Sequence, residues 1–453
     1  MLHKNLTVKK GRLQFAGVDT VEMAKKYSTP LMLLDEEGIR ETCREYNVAV
    51  RQHFTPDSSV AYASKALSFV GLNKILKEEG MSLDVASAGE IHTADVAGFD
   101  MGKTYFHSNF KTAQEIQFAL GRGVGHLMVD NPEELEFIND IACKQGIRQK
   151  VFLRLTPGIK ADTFKQVVTG AVDSKFGVTI LGEKGDENVA WNYISTNSYH
   201  AEKFVADALG MRGIELCGYH CHIGSQIFDS APFEATVEKM LRFSAMIKEK
   251  YGYQAPEIIL GGGFAVRYKD DQPMIDYTNN IRKIGDRAKS VVDELGLNMP
   301  RIGLEPGRSI VAPNGLSLYT VGSVKRIPHV KNYVITDGSM ADSPRYAYYQ
   351  SPYTFYNASD MTQETQNQKR FRATIAGRAC ESGDILQENV EFGLKPNRGD
   401  ILARATSGAY EYPLSSNYNR IGRPAIVAID KNGNDRVVVR RETIDDIIKN
   451  DVR

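Results

Sequence analysis

The chain is poor in the features that would place it in a membrane, on nucleic acid or in a disulfide-built scaffold. No stretch reaches the 18 consecutive apolar residues that a membrane span needs. The N-terminal stretch MLHKNLTVKKGRLQF lacks the apolar core of a secretory leader. Neither sign of charge is in excess: Lys+Arg and Asp+Glu each number 56 in 453 residues, which argues against a general binder of nucleic acid or anionic lipid. Cysteine is scarce, odd in number and without a CxxC pair (Cys43, Cys143, Cys217, Cys221 and Cys380), so a reducing, cytoplasmic setting is expected. Cys217, Cys221, His200, His220 and His222 fall close together in the chain. Their spacing matches no common zinc template, and alternation along a strand accounts for it better, so no metal is expected. The one tryptophan is Trp191, and no low-complexity linker interrupts the chain.

What is present is a regular alternation of strand-like and helix-like segments. Eight strands read VAYAS (60–64), SLDVA (82–86), TYFHS (104–108), HLMVD (126–130), KVFLRL (150–155), ELCGYHCH (215–222), EIIL (257–260) and RIGLE (301–305). Lys65, Ser87, Asn109 and Asn131, which follow the first four strands, are 22 residues apart, about the length of a strand, a helix and two short loops. Eight such units predict a parallel (β/α)₈ barrel over residues 36–308. An open doubly wound sheet is the rival, but no GxGxxG follows the first strand. The unit between RLTP and ELCGYHCH is oversized and contains Trp191, which predicts an excursion from the barrel. Beyond residue 308 the segments LSLYTVGSVKRI, KNYVITDG, FRATIAGRA, GDILARATSG and RPAIVAIDKNGNDRVVVRRET alternate apolar and polar residues. They predict an antiparallel β domain over 309–453, with a hairpin turn at Asn432-Gly433. The strand-like segments of residues 1–35 are expected to pack with it.

In such a barrel the chemistry stands at the C-terminal ends of the strands. Lys65 is there after the first strand, a candidate amine nucleophile of the kind that forms Schiff bases. His222, Gly224 and Ser225 follow the sixth strand, Gly261, Gly262 and Gly263 the seventh, and Glu305, Pro306, Gly307 and Arg308 the eighth. Successive glycines uncover backbone N–H groups toward an anion, and Arg308 adds a fixed cationic fork. An amine facing a phosphate grip implies a phosphorylated aldehyde, and pyridoxal 5′-phosphate (PLP) fits best. Glu305 is the candidate partner of its ring nitrogen, His222 the candidate residue against its ring face, and Asp84 a candidate partner of Lys65.

The motifs YASKA, SLDVASAGE, TG…DSKFG, HCHIGSQIF, LGGGF, EPGRS, DGSMADSPR, CESGD and GAY…NYNR together resemble the diaminopimelate decarboxylase family, fold-type III PLP enzymes of the alanine racemase-like class. The resemblance runs from about residue 11 to the C-terminus. It implies a homodimer in which a barrel is coupled to a C-terminal β domain, and decarboxylation of meso-diaminopimelate to L-lysine. By the same resemblance Lys65 holds PLP, His222 stacks on it, and Ser225, the 261–263 loop, Arg308 and Tyr410 grip its phosphate. Glu305 faces the ring nitrogen. Arg308, Arg345, Tyr349, Glu381 and Tyr410 match the residues that hold the distal end of the substrate. Cys380 matches the thiol that arrives from the partner subunit as proton donor. The chain departs from the family's RPALY with RYAYY, bringing in Tyr346 and Tyr348, and from DGGMND with DGSMAD, bringing in Ser339 and Ala341. Decarboxylation of lysine, ornithine or carboxynorspermidine on the same machinery is the nearest alternative, and Arg345 is the discriminator, since only a second carboxylate needs it. A racemase fits CESGD poorly. A non-catalytic PLP-binding paralogue is expected to lack Cys380, Glu381 or Arg345, all of which are present.

Overall fold

The protein is seen in a computed structural model that describes residues 3–159, 174–180, 200–362 and 370–452. Trp191 and most of the excursion lie outside the described residues.

Eight parallel strands occupy Ala61–Ala63, Ser82–Val85, Thr104–Phe106, His126–Val129, Gln149–Thr156, Ile214–His220, Glu257–Ile259 and Arg301–Gly303, each paired with the next. The ring closes where Ala61 N–H donates to Leu304 O at 2.9 Å and Ala63 N–H to Pro306 O at 3.2 Å. Ser87 and Asn131, two of the regularly spaced residues, cap the following helices: their side chains accept from the N–H groups of Glu90 and Glu134. The described part of the excursion adds the short strand Val178–Thr179 beside Leu155 and Thr156, then the helix Ala201–Gly210.

The period of two along a strand gives the barrel its axial organisation. Leu83, Val85, Leu153 and Leu155 belong to the large core beneath the helices. Ala61, Tyr105, Met128, Phe152 and Ile259 form a separate apolar cluster. Two residues further along each of these strands, on the same face, stand Ala63, His107, Asp130, Arg154 and Gly261. The interior is thus apolar below and polar at the C-terminal end.

The second unit is a sheet in the order Ile385–Phe392, Phe371–Ala376, Lys331–Thr336, Gly315–Ile327, Leu31–Asp35, Ala425–Ile429, Asp435–Val439, with Ile401–Ala405 also on Gly315–Ile327. The N-terminal strand Leu31–Asp35 sits inside this sheet, between Gly315–Ile327 and Ala425–Ile429. Its five residues are all buried. The hairpin Ala425–Ile429 to Asp435–Val439 turns at Gly433, whose φ is +79°. The expectation of a purely antiparallel sheet is corrected. Leu31–Asp35 pairs in parallel with Ala425–Ile429, and Lys331–Thr336 with Phe371–Ala376. Both pairs are joined by long connections, where no hairpin constrains direction. Among the described residues of this sheet, two strands escaped the sequence reading: Ile385–Phe392 and Phe355–Asn357. Ile385–Phe392 carries Gln387, Glu388 and Asn389 in succession, which breaks the apolar alternation.

Candidate active site

A cavity of about 950 Å³ opens at the C-terminal ends of the barrel strands and reaches under the β domain. The two units meet over it: Tyr410, at φ +63°, donates its N–H to Ala66 O at 2.8 Å, next to Lys65. Of the residues singled out in the sequence, Lys65, Asp84, His222, Ser225, Gly262, Gly263, Glu305, Gly307, Arg308, Arg345, Tyr349 and Tyr410 line this cavity.

Lys65 lies in a single 3₁₀ turn, Ser64–Ala66, directly after the first strand. Its side chain is open to the cavity rather than buried. Asp84 does not form the expected ion pair with it. It turns to His107 instead, with Nε2 3.7 Å from Asp84 Oδ1, and burial pushes its carboxyl pKa up.

Glu305 is buried, and both its oxygens are engaged: Oε1 by His107 Nε2 at 3.0 Å, Oε2 by His220 Nε2 at 2.9 Å. Burial alone would raise its pKa; the two histidines outweigh it and hold the carboxyl well below the usual range. His222 lies deep in the cavity, and burial, with Lys65 and Arg154 next, lowers its imidazole pKa well below normal.

The glycines have a steric reason as well as an electrostatic one. A Cβ on Gly262 would run into the Glu305 carbonyl, one on Gly263 into that of Gly224, and one on Gly261 would sit 2.7 Å from His222 Nδ1. The strand ends therefore approach one another only as bare backbone, beside the Arg308 fork. Arg308 donates to Ser225 Oγ from Nε at 3.2 Å and Nη2 at 2.9 Å, and its guanidinium lies 4.7 Å from the Tyr410 ring centre. Pro306 contributes the carbonyl that closes the barrel.

At the far side Arg345 begins the short helix Arg345–Tyr349 and is buried. It donates to Tyr268 Oη at 3.0 Å, to Ser351 Oγ at 3.1 Å and to Tyr353 Oη. Among the described residues no carboxylate pairs with it. Tyr268 also accepts from Arg308 Nη1 at 2.9 Å. Burial raises the Tyr268 pKa, but the two guanidiniums overcome this and bring it below that of an ordinary phenol. Of the two departures from the family pattern in this helix, Tyr346 is buried and Tyr348 is exposed, and neither lines the cavity. Ser339 and Ala341 are buried beside Asp342, whose carboxylate accepts from Ser339 N–H at 2.8 Å.

Cys380 and Glu381 are not brought to this cavity. Both are exposed on the β domain, where Cys380 N–H donates to Asn419 Oδ1 at 2.7 Å and Glu381 Oε2 accepts from Tyr418 at 3.3 Å.

His107, Arg154, His220 and Tyr268 line the cavity without having been singled out. For His107 and Arg154 the signal was available: each follows a residue of the apolar axial cluster by two. His220 was set aside with the zinc question. For Tyr268 no sequence signal exists, because a loop position discloses no direction.

A primary amine, a guanidinium with a hydroxyl beside backbone that no Cβ can enter, and an anionic carboxylate in one barrel mouth fit a phosphorylated pyridine aldehyde. Fold and site together define the class of barrel-type PLP enzymes. Residues 37–312 match the family described as "Pyridoxal-dependent decarboxylase, pyridoxal binding domain". The diaminopimelate decarboxylase of Bacillus subtilis is 38% identical over 442 residues, covering 98% of this chain and 95% of the relative. That of Bacillus methanolicus is 39% identical, covering 96% of this chain and 95% of the relative. The solved diaminopimelate decarboxylase of M. jannaschii in co-complex with L-lysine superposes with a TM-score of 0.85 at 30% identity, covering 100% of this chain and 99% of that one. The chain belongs to the diaminopimelate decarboxylase family.

Proposed function

We propose that this chain is a carboxy-lyase that removes the α-carboxylate of meso-diaminopimelate, releasing CO₂ and L-lysine, with PLP as cofactor. One observation carries the substrate: Arg345 is a buried guanidinium with three hydroxyl partners and no counter-anion among the described residues. An unpaired buried charge is costly, so a site built this way is completed by an incoming carboxylate. A simple diamine precursor does not carry one at its distal end.

When bound, PLP supplies an aldehyde for the substrate amine and a ring that accepts the electron pair left as CO₂ departs. The chain supplies the rest. Lys65 is the amine that would hold the cofactor aldehyde. Arg308, Ser225, Tyr410 and the backbone of 261–263 hold the phosphate. Glu305 would keep the ring nitrogen protonated, and His222 would lie against the ring. Asp84 acts through His107 rather than on Lys65. Tyr349 borders the substrate end.

We read the working form as a homodimer with shared sites: the partner's Cys380 returns a proton to Cα, and the partner's Glu381 takes the distal ammonium. Their exposure on the β domain, away from their own chain's cavity, supports this reading. The barrel unit is taken as 36–308 and the β unit as 1–35 with 309–453. No helix among the described residues is long and apolar enough to cross a membrane. The five free thiols support a cytoplasmic setting.

CO₂ release from meso-diaminopimelate, lysine, ornithine and carboxynorspermidine tests the substrate. Diaminopimelate should exceed each of the others by on the order of 10⁴ in kcat/KM, because the site's charged groups stay unpaired without the distal carboxylate. Comparable rates on lysine or ornithine would overturn the assignment and leave the PLP chemistry standing.

A further inference from the structure

Glu305 is held in an unusual way for a group that must receive a ring N–H. His107, His220 and Glu305 come from the ends of the third, sixth and eighth strands, and all three are buried. Each carboxylate oxygen already meets one imidazole Nε2, at 3.0 and 2.9 Å. The two rings meet edge to face with centres 4.8 Å apart. An ionised carboxylate has no proton to give, so both Nε2 atoms are donors.

The tautomer of His220 follows from its other nitrogen. His220 Nδ1 is buried and, among the described residues, has no hydrogen-bond partner. A proton there would be a buried, unsatisfied N–H, which is destabilising, and more so when the ring is charged. Nδ1 is therefore bare and the ring neutral. The surroundings agree: burial lowers the His220 pKa to about 4, with Glu305 opposing and His107 and Arg154 adding to the lowering. Around Glu305 the other facing groups are Asp84, which lies 3.7 Å from the His107 Nε2, and Arg154, Lys65, His222 and Cys221.

We propose that His107 and His220 are positioning residues for the decarboxylation: they clamp both oxygens of Glu305 so that it faces the cofactor as a pure acceptor, with His220 in the neutral Nε2–H tautomer. This rests on the reading of Glu305 as the ring-nitrogen partner. A carboxylate fixed by two N–H donors can neither rotate away nor take up the ring proton. It therefore stabilises the electron-rich ring in the transition state, where a preorganised group acts most strongly.

The test uses holoenzyme with His220→Leu, His220→Gln and Glu305→Gln. Three quantities are read: kcat at saturating PLP, PLP affinity, and the ¹⁵N shifts of labelled histidines. His220→Leu should lower kcat by on the order of 10²-fold, the effect of losing one preorganised donor, while PLP affinity and KM stay within about threefold. Gln places an amide N–H near the Nε2 position and should restore most of the rate. Wild-type His220 should show an unprotonated Nδ1 from about pH 8 down to about pH 6, where a free imidazole is already charging. Wild-type kcat in His220→Leu beside an impaired Glu305→Gln overturns the clamp alone. Equal losses in the Leu and Gln variants, or a protonated Nδ1 at neutral pH, do the same. A fully active Glu305→Gln removes the reading of Glu305 and this proposal with it. Where His220→Leu does not fold, His107→Leu and His107→Gln carry the same comparison.

Discussion

The two ends of the cavity are built on opposite plans. At the cofactor end, Lys65, His107, Arg154, His220 and Glu305 all stand on or just beyond parallel barrel strands, and the central anion, Glu305, has both oxygens satisfied by its own chain. At the end proposed for the substrate, Arg345, Tyr268 and Tyr353 come from loops and one short helix, and among the described residues the central cation, Arg345, has only hydroxyl partners. The first end is complete before any ligand arrives, so it can hold a resident group in one orientation. The second is left electrically unfinished, and in the function proposed above a charged substrate group would complete it, which is how a site gains selectivity. Tyr268 joins the two, accepting one N–H from Arg308 and one from Arg345.

The largest expected effect is at the cofactor end. Lys65→Ala should lower kcat by at least about 10⁴-fold, the scale seen when a covalent catalyst is removed. Borohydride reduction of the holoenzyme and peptide mapping should find the pyridoxyl group on Lys65; a label on another lysine refutes the assignment.

Arg345→Met attacks the unfinished end. It should cost on the order of 10³-fold or more in kcat/KM for meso-diaminopimelate while PLP affinity is unchanged, because only the substrate's carboxylate loses its partner. A loss of PLP binding of similar size would show that the two ends are not separable.

Subunit mixing asks whether a second copy finishes the substrate end. Lys65→Ala and Cys380→Ala proteins, each inactive alone, should recover up to about a quarter of full activity when subunits exchange at random, since each mixed dimer has one intact site. No recovery with exchange confirmed would mean that both residues serve one chain's cavity.

Tyr268→Phe should blur the contrast modestly. It removes one acceptor from both guanidiniums, about 1–2 kcal/mol of hydrogen bonding to charged groups. PLP affinity and KM should therefore weaken together, each by about tenfold. A change in only one would show that Tyr268 serves that end alone.

The smallest effect is on stability in acid. His220 titrates at 6.5 when free and at about 4 when folded, so between these values the unfolded chain binds more protons. Its contribution to stability is full above pH 6.5 and is lost as the pH falls toward 4. Chemical denaturation of His220→Gln should show a shallower loss than wild type across that window. Identical slopes would mean that His220 is not buried neutral.

Much of this was legible in the sequence, and the reason is periodicity. Strand-plus-helix units of fixed length, and strand ends marked by Lys65, Glu305, Arg308 and the three glycines, place residues on one rim without further information, because hydrogen bonding between parallel strands leaves little freedom of register. His107 and Arg154 obey the same rule of two and were simply not counted. The sequence alone therefore determined the barrel, which residues stand at its strand ends and the family to which the chain belongs. Only the tertiary structure decided that Asp84 turns to His107 instead of Lys65, that Glu305 is clamped by two histidines, and that Tyr268 lies between Arg308 and Arg345. It also decided the parallel seams of the β domain at Leu31–Asp35 and Lys331–Thr336. These are contacts between residues from 23 to several hundred positions apart, made by loops and side-chain directions that no local pattern encodes. They exist because burying a charge forces it to find a partner wherever the closed fold happens to offer one.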